Sequence, residues 1–294
     1  MKYFFPDSQD FVDPSFDFET EQKSILRVRQ RDDVYAHELI TQKPYDGLLV
    51  SKAIVDGLPG HSCKTRYSTG QRFRFYREGA HRYFRLGRRY EVMGDSGAFS
   101  YVKFNKPPYS VDDLIEFYVK AGVNKGVSLD HVIFGYETKT GDSQGVEQDR
   151  VERKAITLEN ANSFIKRSAD HSFESFGVAQ GWDRKSYIDS ALALKKMGYK
   201  RVTLGGIITL NSDQICSLLD DINQVVNNKL SFHLLGISRV DSARLFKDRN
   251  VVSIDSTTPL KQAFMNLDKT TSLTGKTIVR SALGSRMIIH RSDS

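Results

Sequence analysis

From Gly47 onward the chain alternates short apolar runs with amphipathic stretches of about a dozen residues. The runs GLLVS (47–51), YEVMGDSG (90–97), GVSLDHVIF (126–134), FGVAQG (176–181), RVTLGGI (201–207), SFHLLGI (231–237) and VVSID (251–255) read as strands that end in turn residues. Ser110-Val-Asp-Asp113 is a capping-box signature, and it opens a helix with Leu114, Ile115 and Tyr118 on one face. A polar loop from Thr138 to Gln148 leads to a helix near 157–168. Ile188, Ala191, Leu192 and Leu194 fall at helical spacing over 185–197, with Gly198 placed to end that helix. Asn211 or Ser212 caps a helix running to about Val226, and Asp241 starts a short one.

Strands alternating with helices imply right-handed crossovers and a parallel sheet. The predicted fold class is α/β, a TIM (β/α)8 barrel forming one domain over 1–294. Seven strands are visible. The eighth lies either in the N-terminal region or near Thr277–Val279, and an open doubly wound sheet is the alternative. Residues 1–45 have an irregular pattern rich in Phe and Asp and are predicted to form a cover.

Charge changes this picture. The chain has 294 residues and a net charge of +7, unevenly distributed. Between Lys64 and Tyr90 lie nine of its 43 basic residues and one of its 36 acidic residues, a local charge of +8; the remainder sums to −1. A uniformly basic, histone-like chain is thereby excluded in favour of a near-neutral body with one surface for phosphates, nucleic acid or anionic lipid. Within this segment, read as a basic aromatic insertion over 61–90, Arg72, Arg74, Arg77, Arg82, Arg85, Arg88 and Arg89 interleave with Phe73, Phe75, Tyr76, Tyr83, Phe84 and Tyr90. The period-two alternation in QRFRFYR predicts a strand or hairpin with an arginine face, half of its aromatics in the core. Arginines facing phosphates and aromatics facing unpaired bases make nucleic acid the expected partner.

No apolar run approaches the roughly 18 residues of a membrane helix, and MKYFFPDSQDF does not read as a signal peptide. The two cysteines, Cys63 and Cys216, form neither a CxxC pair nor a zinc set. A cytoplasmic setting without a structural metal is expected.

The predicted strand ends carry polar or glycine residues: Asp95, Asp130, Gln180, Gly205-Gly206, Leu235-Gly236 and Asp255. Each alone reads as a turn or cap. At successive strand ends of a barrel they would converge on one pocket. Asp95 and Asp255 are then candidates for two-carboxylate chemistry at an anomeric carbon. Gly205-Gly206 is open to three readings: a phosphate cradle, a close approach of backbone to a flat ligand, or a tight turn.

The ordered series MGDSGAFS (93–100), SLDHV (128–132), FGVAQG, LGGI (204–207), LLGI (234–237) and SIDSTTPLK (253–261) resembles the tRNA-guanine transglycosylase superfamily over about 90–265. The branch it is most like inserts 7-deazaguanine derivatives into DNA. The resemblance implies Asp255 as the nucleophile on C1′ and Asp95 as general acid/base. It implies Asp130 as acceptor for the guanine N1–H and amino edge, Gln180 and the Gly206 N–H as readers of O6, and Phe99 and Leu235 on either side of the purine plane. No cofactor is implied; the co-substrate is a 7-deazaguanine base such as 7-cyano-7-deazaguanine. The family's DSGGFQ stands here as Asp95 to Ser100 with Ala98 and Ser100, and its FDCVxPTR as Ile254 to Lys261. No CxCxxC…His zinc site follows Asp255: none of the 39 later residues is Cys. DNA is therefore the expected polynucleotide, with tRNA, a non-catalytic nucleic-acid-binding subunit and a phosphate-binding metabolic barrel as alternatives.

Overall fold

A computed structural model describes residues 1–7, 11–17, 19–20, 22–39, 41–59, 67–137 and 147–258, together with the backbone of 271–273, 276–280 and 287–290. Eight parallel strands close into a barrel: β1 (Lys2–Pro6), β2 (Gly47–Ser51), β3 (Glu91–Asp95), β4 (Lys125–Val127), β5 (Glu174–Ala179), β6 (Arg201–Leu204), β7 (Ser231–Leu234) and β8 (Val251–Asp255). Each pairs with the next in sequence. β1 closes the ring by pairing with β8, Phe4 opposite Asp255, and with β2, Phe4 opposite Gly47.

All seven strands expected from Gly47 onward are present. The eighth is Lys2–Pro6, so the cover expected over 1–45 begins with a barrel strand. The other candidate, 277–279, lies in Lys276–Arg280, the middle of a separate antiparallel three-stranded sheet. Phe4 explains the choice. It joins Leu49, Met93, Val127, Phe176 and Val178 in a buried cluster drawn from five strands, which fills the barrel interior. The strand expected through Phe134 is paired only over Lys125–Val127; residues 128–133 continue beyond it, still buried.

The outer helices follow their caps. α1 (Thr69–Tyr83) starts at Ser68, α2 (Val111–Ala121) at Ser110, α4 (Arg184–Lys196) at Asp183 and α5 (Ser212–Val226) at Asn211, each with a closed capping box. α3 (Gln148–Arg167) starts nine residues earlier than its apolar spacing suggests. After Asp241 comes the short α6 (Ala243–Lys247).

The basic segment is neither strand nor hairpin. Its described part is α1 and the loop to β3, the crossover of the second βα unit. The box of Ser68 and Gln71 nucleates the helix, and Phe75, Ala80 and Tyr83 are buried along one side. Phe73 stays 68% exposed. The alternation of Arg and Phe over the four residues 72–75 is too short to outweigh a capped helix with its own buried stripe. Gly79 breaks the helix, with φ of 71° and ψ of 163°.

This geometry divides the arginines. Helices of a (β/α)8 barrel run back from the C-terminal ends of the strands. Tyr67, before α1, donates to Asp7 just beyond β1, while His81 near its end bonds Asn124 just before β4. Arg72, Arg74 and Arg77 thus occupy the half of α1 nearer the barrel mouth. Arg82, Arg85, Arg88 and Arg89 fall toward the opposite end, where Arg85 pairs with Glu38 and the Asp33 carbonyl.

Candidate active site

The barrel mouth gathers the strand-end residues. Asp95 closes β3 and is 9% exposed; its Oδ2 accepts from the Ser51 hydroxyl at 3.1 Å and from the Gly97 N–H at 2.9 Å. Gly97 holds φ at 80°, a left-handed turn that returns its N–H to Asp95. Burial raises the Asp95 pKa, and the negative charge of Asp255 raises it further.

Asp255 closes β8 and is 4% exposed. Its Oδ1 accepts from His233 Nε2 at 3.2 Å and from the Gly236 N–H at 3.0 Å. The Tyr3 hydroxyl donates to the Ser256 carbonyl at 2.8 Å; burial, then the charge of Asp255, holds this phenol above its usual range.

Asp130 follows β4 and is fully enclosed. Gln180 Nε2 donates to its Oδ2 at 2.8 Å and Ser96 Oγ to its Oδ1 at 3.3 Å. The Tyr101 hydroxyl lies 2.8 Å from Ser96 Oγ, which orders a relay from Tyr101 through Ser96 to the carboxylate. Burial first, and then the charge of Asp95, pushes the Asp130 pKa up to about 7. Asp95 therefore feels Asp255 and is felt by Asp130: the three carboxyls share one electrostatic environment.

Gly205 and Gly206 pack too closely against their neighbours for a side chain. A Cβ on Gly205 would lie 2.3 Å from Gln180 Nε2, and one on Gly206 would lie 2.7 Å from the Ile133 carbonyl. Gly206 has φ of 74°, and the Gly205 N–H bonds the Ala179 carbonyl. The pair is a close approach that admits the Gln180 side chain.

The structure thus brings together Asp95, Asp130, Gln180, Gly205, Gly206 and Asp255. Leu235 is half-buried, its N–H on the Leu204 carbonyl. Phe99 is 53% exposed, its ring 5.7 Å from Phe134, another half-exposed aromatic. Sequence reasoning passed over Ser51, Ser96, Tyr101, Phe134 and His233. For His233 a signal existed: it is the one imidazole in the apolar run SFHLLGI. Among the described residues, no group of three or more His, Cys, Asp or Glu is arranged to hold a metal. No described helix is long and apolar enough to cross a membrane.

A parallel eight-stranded barrel whose mouth holds a carboxylate pair beside an acceptor and an amide donor defines the class. No family model matches the chain. Among curated proteins it is similar to a DNA-guanine transglycosylase of Salmonella montevideo, with 51% identity over 266 residues. That similarity covers 90% of this chain and 63% of the relative, so the chain spans less than two thirds of the relative's length. This level of identity supports the resemblance of the strand-end motifs to the tRNA-guanine transglycosylase superfamily.

Proposed function

We propose that the chain exchanges guanine in DNA for a 7-deazaguanine base through a covalent glycosyl-enzyme. The observation that carries this reading is the pair Asp95 and Asp255, both buried at the mouth and electrostatically coupled. Asp255 attacks C1′ as the bond from C1′ to guanine N9 breaks. Asp95, whose raised pKa suits it to hold a proton, protonates the departing base. The incoming 7-deazaguanine gives its N9 proton to Asp95 and attacks C1′, which releases the Asp255 carboxylate. Atoms and charge balance over the cycle, and the route needs no redox partner.

Asp130, Gln180 and the Gly206 N–H match the guanine edge: an acceptor for N1–H and the amino group, donors for O6. Gln180 and Asp130 now bond each other, so the base would enter between them. Phe99 and Leu235 are proposed to bracket its plane.

This assigns a pH dependence. Asp130 binds the donor edge only when ionised, and its folded pKa of about 7 lies above the ordinary 3.8. Affinity for free guanine or 7-cyano-7-deazaguanine is expected to rise as pH increases through about 7. Calorimetric titrations between pH 5.5 and 8.5 check it, and a flat profile would contradict the assignment. In the free protein, Asp130 contributes stability that is fully present below pH 3.8 and lost as pH rises through about 7.

DNA is proposed to approach along the mouth side of α1. Arg72 bonds the Asp56 carbonyl, and Arg74 and Arg77 share Glu78, which fixes their positions without neutralising all three. Replacing Arg72, Arg74 and Arg77 with Ala is expected to weaken DNA binding and to flatten its salt dependence. The loss in slope should be about 1 to 3, at roughly 0.9 per phosphate contact. Arg88→Ala with Arg89→Ala, at the far end, should leave the slope unchanged. Equal effects of both sets would place the DNA elsewhere.

The experiment that tests the function is nucleoside analysis of DNA, and in parallel tRNA, after incubation with the protein and 7-cyano-7-deazaguanine. A deazaguanine nucleoside in DNA supports the reading; one in tRNA alone moves the substrate to RNA.

A further inference from the structure

His233 is fully buried inside the barrel, where branched apolar side chains ordinarily fill the space. Its ring meets Phe4 and Phe176 edge-on at 6.2 and 6.4 Å. Nδ1 lies 2.8 Å from Ser253 Oγ and Nε2 3.2 Å from Asp255 Oδ1. Thr203, paired with His233 in the strand register, adds a buried hydroxyl with no partner among the described residues. A polar layer of this kind costs stability unless satisfied, so its placement directly beneath a functional carboxylate calls for a role.

We infer that His233 is a positioning residue that anchors Asp255 through Oδ1 and leaves Oδ2 as the oxygen that attacks C1′. The inference rests on the glycosyl-transfer reading above. A carboxylate only accepts, so Nε2 donates to it; the neutral ring then presents a lone pair at Nδ1, and the Ser253 hydroxyl donates there. The Gly236 N–H also falls on Oδ1. Among the described residues, both hydrogen bonds to Asp255 are on this oxygen, and Oδ2 keeps its lone pairs.

In the covalent state the C1′–Oδ2 bond makes Oδ2 the ester oxygen and Oδ1 its carbonyl oxygen, with both donors still in place. When the incoming base displaces Asp255, that bond breaks, its electron pair stays on the carboxylate, and the charge delocalised onto Oδ1 meets two preformed N–H groups. The imidazole proton stays on Nε2 throughout. The pattern resembles other catalytic constellations in which a reacting group is oriented by a second residue and that residue by a third.

The test compares single-turnover formation of the covalent adduct on guanine-containing DNA, and DNA affinity, for wild type, His233→Phe, His233→Gln and Ser253→Ala. Loss of a hydrogen bond to a charged group predicts trapping slowed about 10- to 100-fold in His233→Phe, with DNA affinity unchanged. His233→Gln keeps an N–H and is expected to recover most of the rate. Ser253→Ala leaves the ring in place and should give a smaller loss in the same direction. It carries the test if His233→Phe does not fold. Wild-type trapping rates in folded His233 and Ser253 variants, with a wild type that traps DNA, would overturn the positioning role alone. A wild type that forms no adduct on DNA or tRNA would remove the transfer reading and this inference with it.

Discussion

Asp255→Ala is expected to abolish the covalent adduct with guanine-containing DNA and to reduce base exchange by at least about 10³-fold, the scale on which removal of a catalytic nucleophile acts. No other described carboxylate is placed to take over. Asp95 is held by Ser51 and the Gly97 N–H on the far side of β1 and β2, and Asp130 bonds Gln180 and Ser96. The Ala variant also leaves the Nε2–H of His233 buried without its acceptor, a destabilisation of about 1–3 kcal/mol. Asp255→Asn is the control: it keeps an oxygen for His233 and Gly236 while removing the nucleophilic carboxylate and the charge that helps raise the Asp95 pKa. Denaturing gels with guanine-containing DNA read the adduct, and thermal melts read the fold. Full exchange activity in the folded Asn variant would remove Asp255 from the chemistry.

Asp95→Asn is expected to lower base exchange about 10²- to 10⁴-fold, the usual contribution of a positioned acid or base, with DNA binding retained. The amide can still accept from Ser51 and Gly97, so the turn after β3 should persist. What is lost is a carboxyl that burial and the charge of Asp255 make readier to take up a proton and give it back. The substitution has a second readout. Asp95 is one of the causes of the raised Asp130 pKa, so the pH at which base affinity rises should fall below about 7 in the variant. Multiple-turnover exchange of labelled guanine, with base titrations across pH, measures both. Unchanged turnover would assign the proton transfers elsewhere.

Much of the candidate site was legible in the residues because its polar groups end strands. Asp95, Asp130, Gln180, Gly205-Gly206 and Asp255 each follow an apolar run, and a barrel turns that linear regularity into one mouth. His233 was not legible in the same way. An imidazole in an apolar run reads as an ordinary core residue until the register sets it opposite Ser253 and its ring bonds both Ser253 and Asp255. The first strand was also ambiguous, because KYFFP carries no alternation and shows its role only through Phe4, which needs the other strands to pack against. For the basic segment, the arginine and aromatic alternation had two periodic readings over four residues.

The local pattern by itself determined seven strands, their parallel order, the helix caps at Ser110 and Asn211 and the residues offered at the strand ends. These follow from short-range rules of burial period, turn chemistry and backbone hydrogen bonding, which act within a few residues. The tertiary structure alone decided which segment closed the ring, which carboxylates share an electrostatic environment, which oxygen of Asp255 is anchored, and which arginines lie near the mouth. Those properties depend on distances between residues far apart in sequence and on the loss of water around them, and barrel closure creates both.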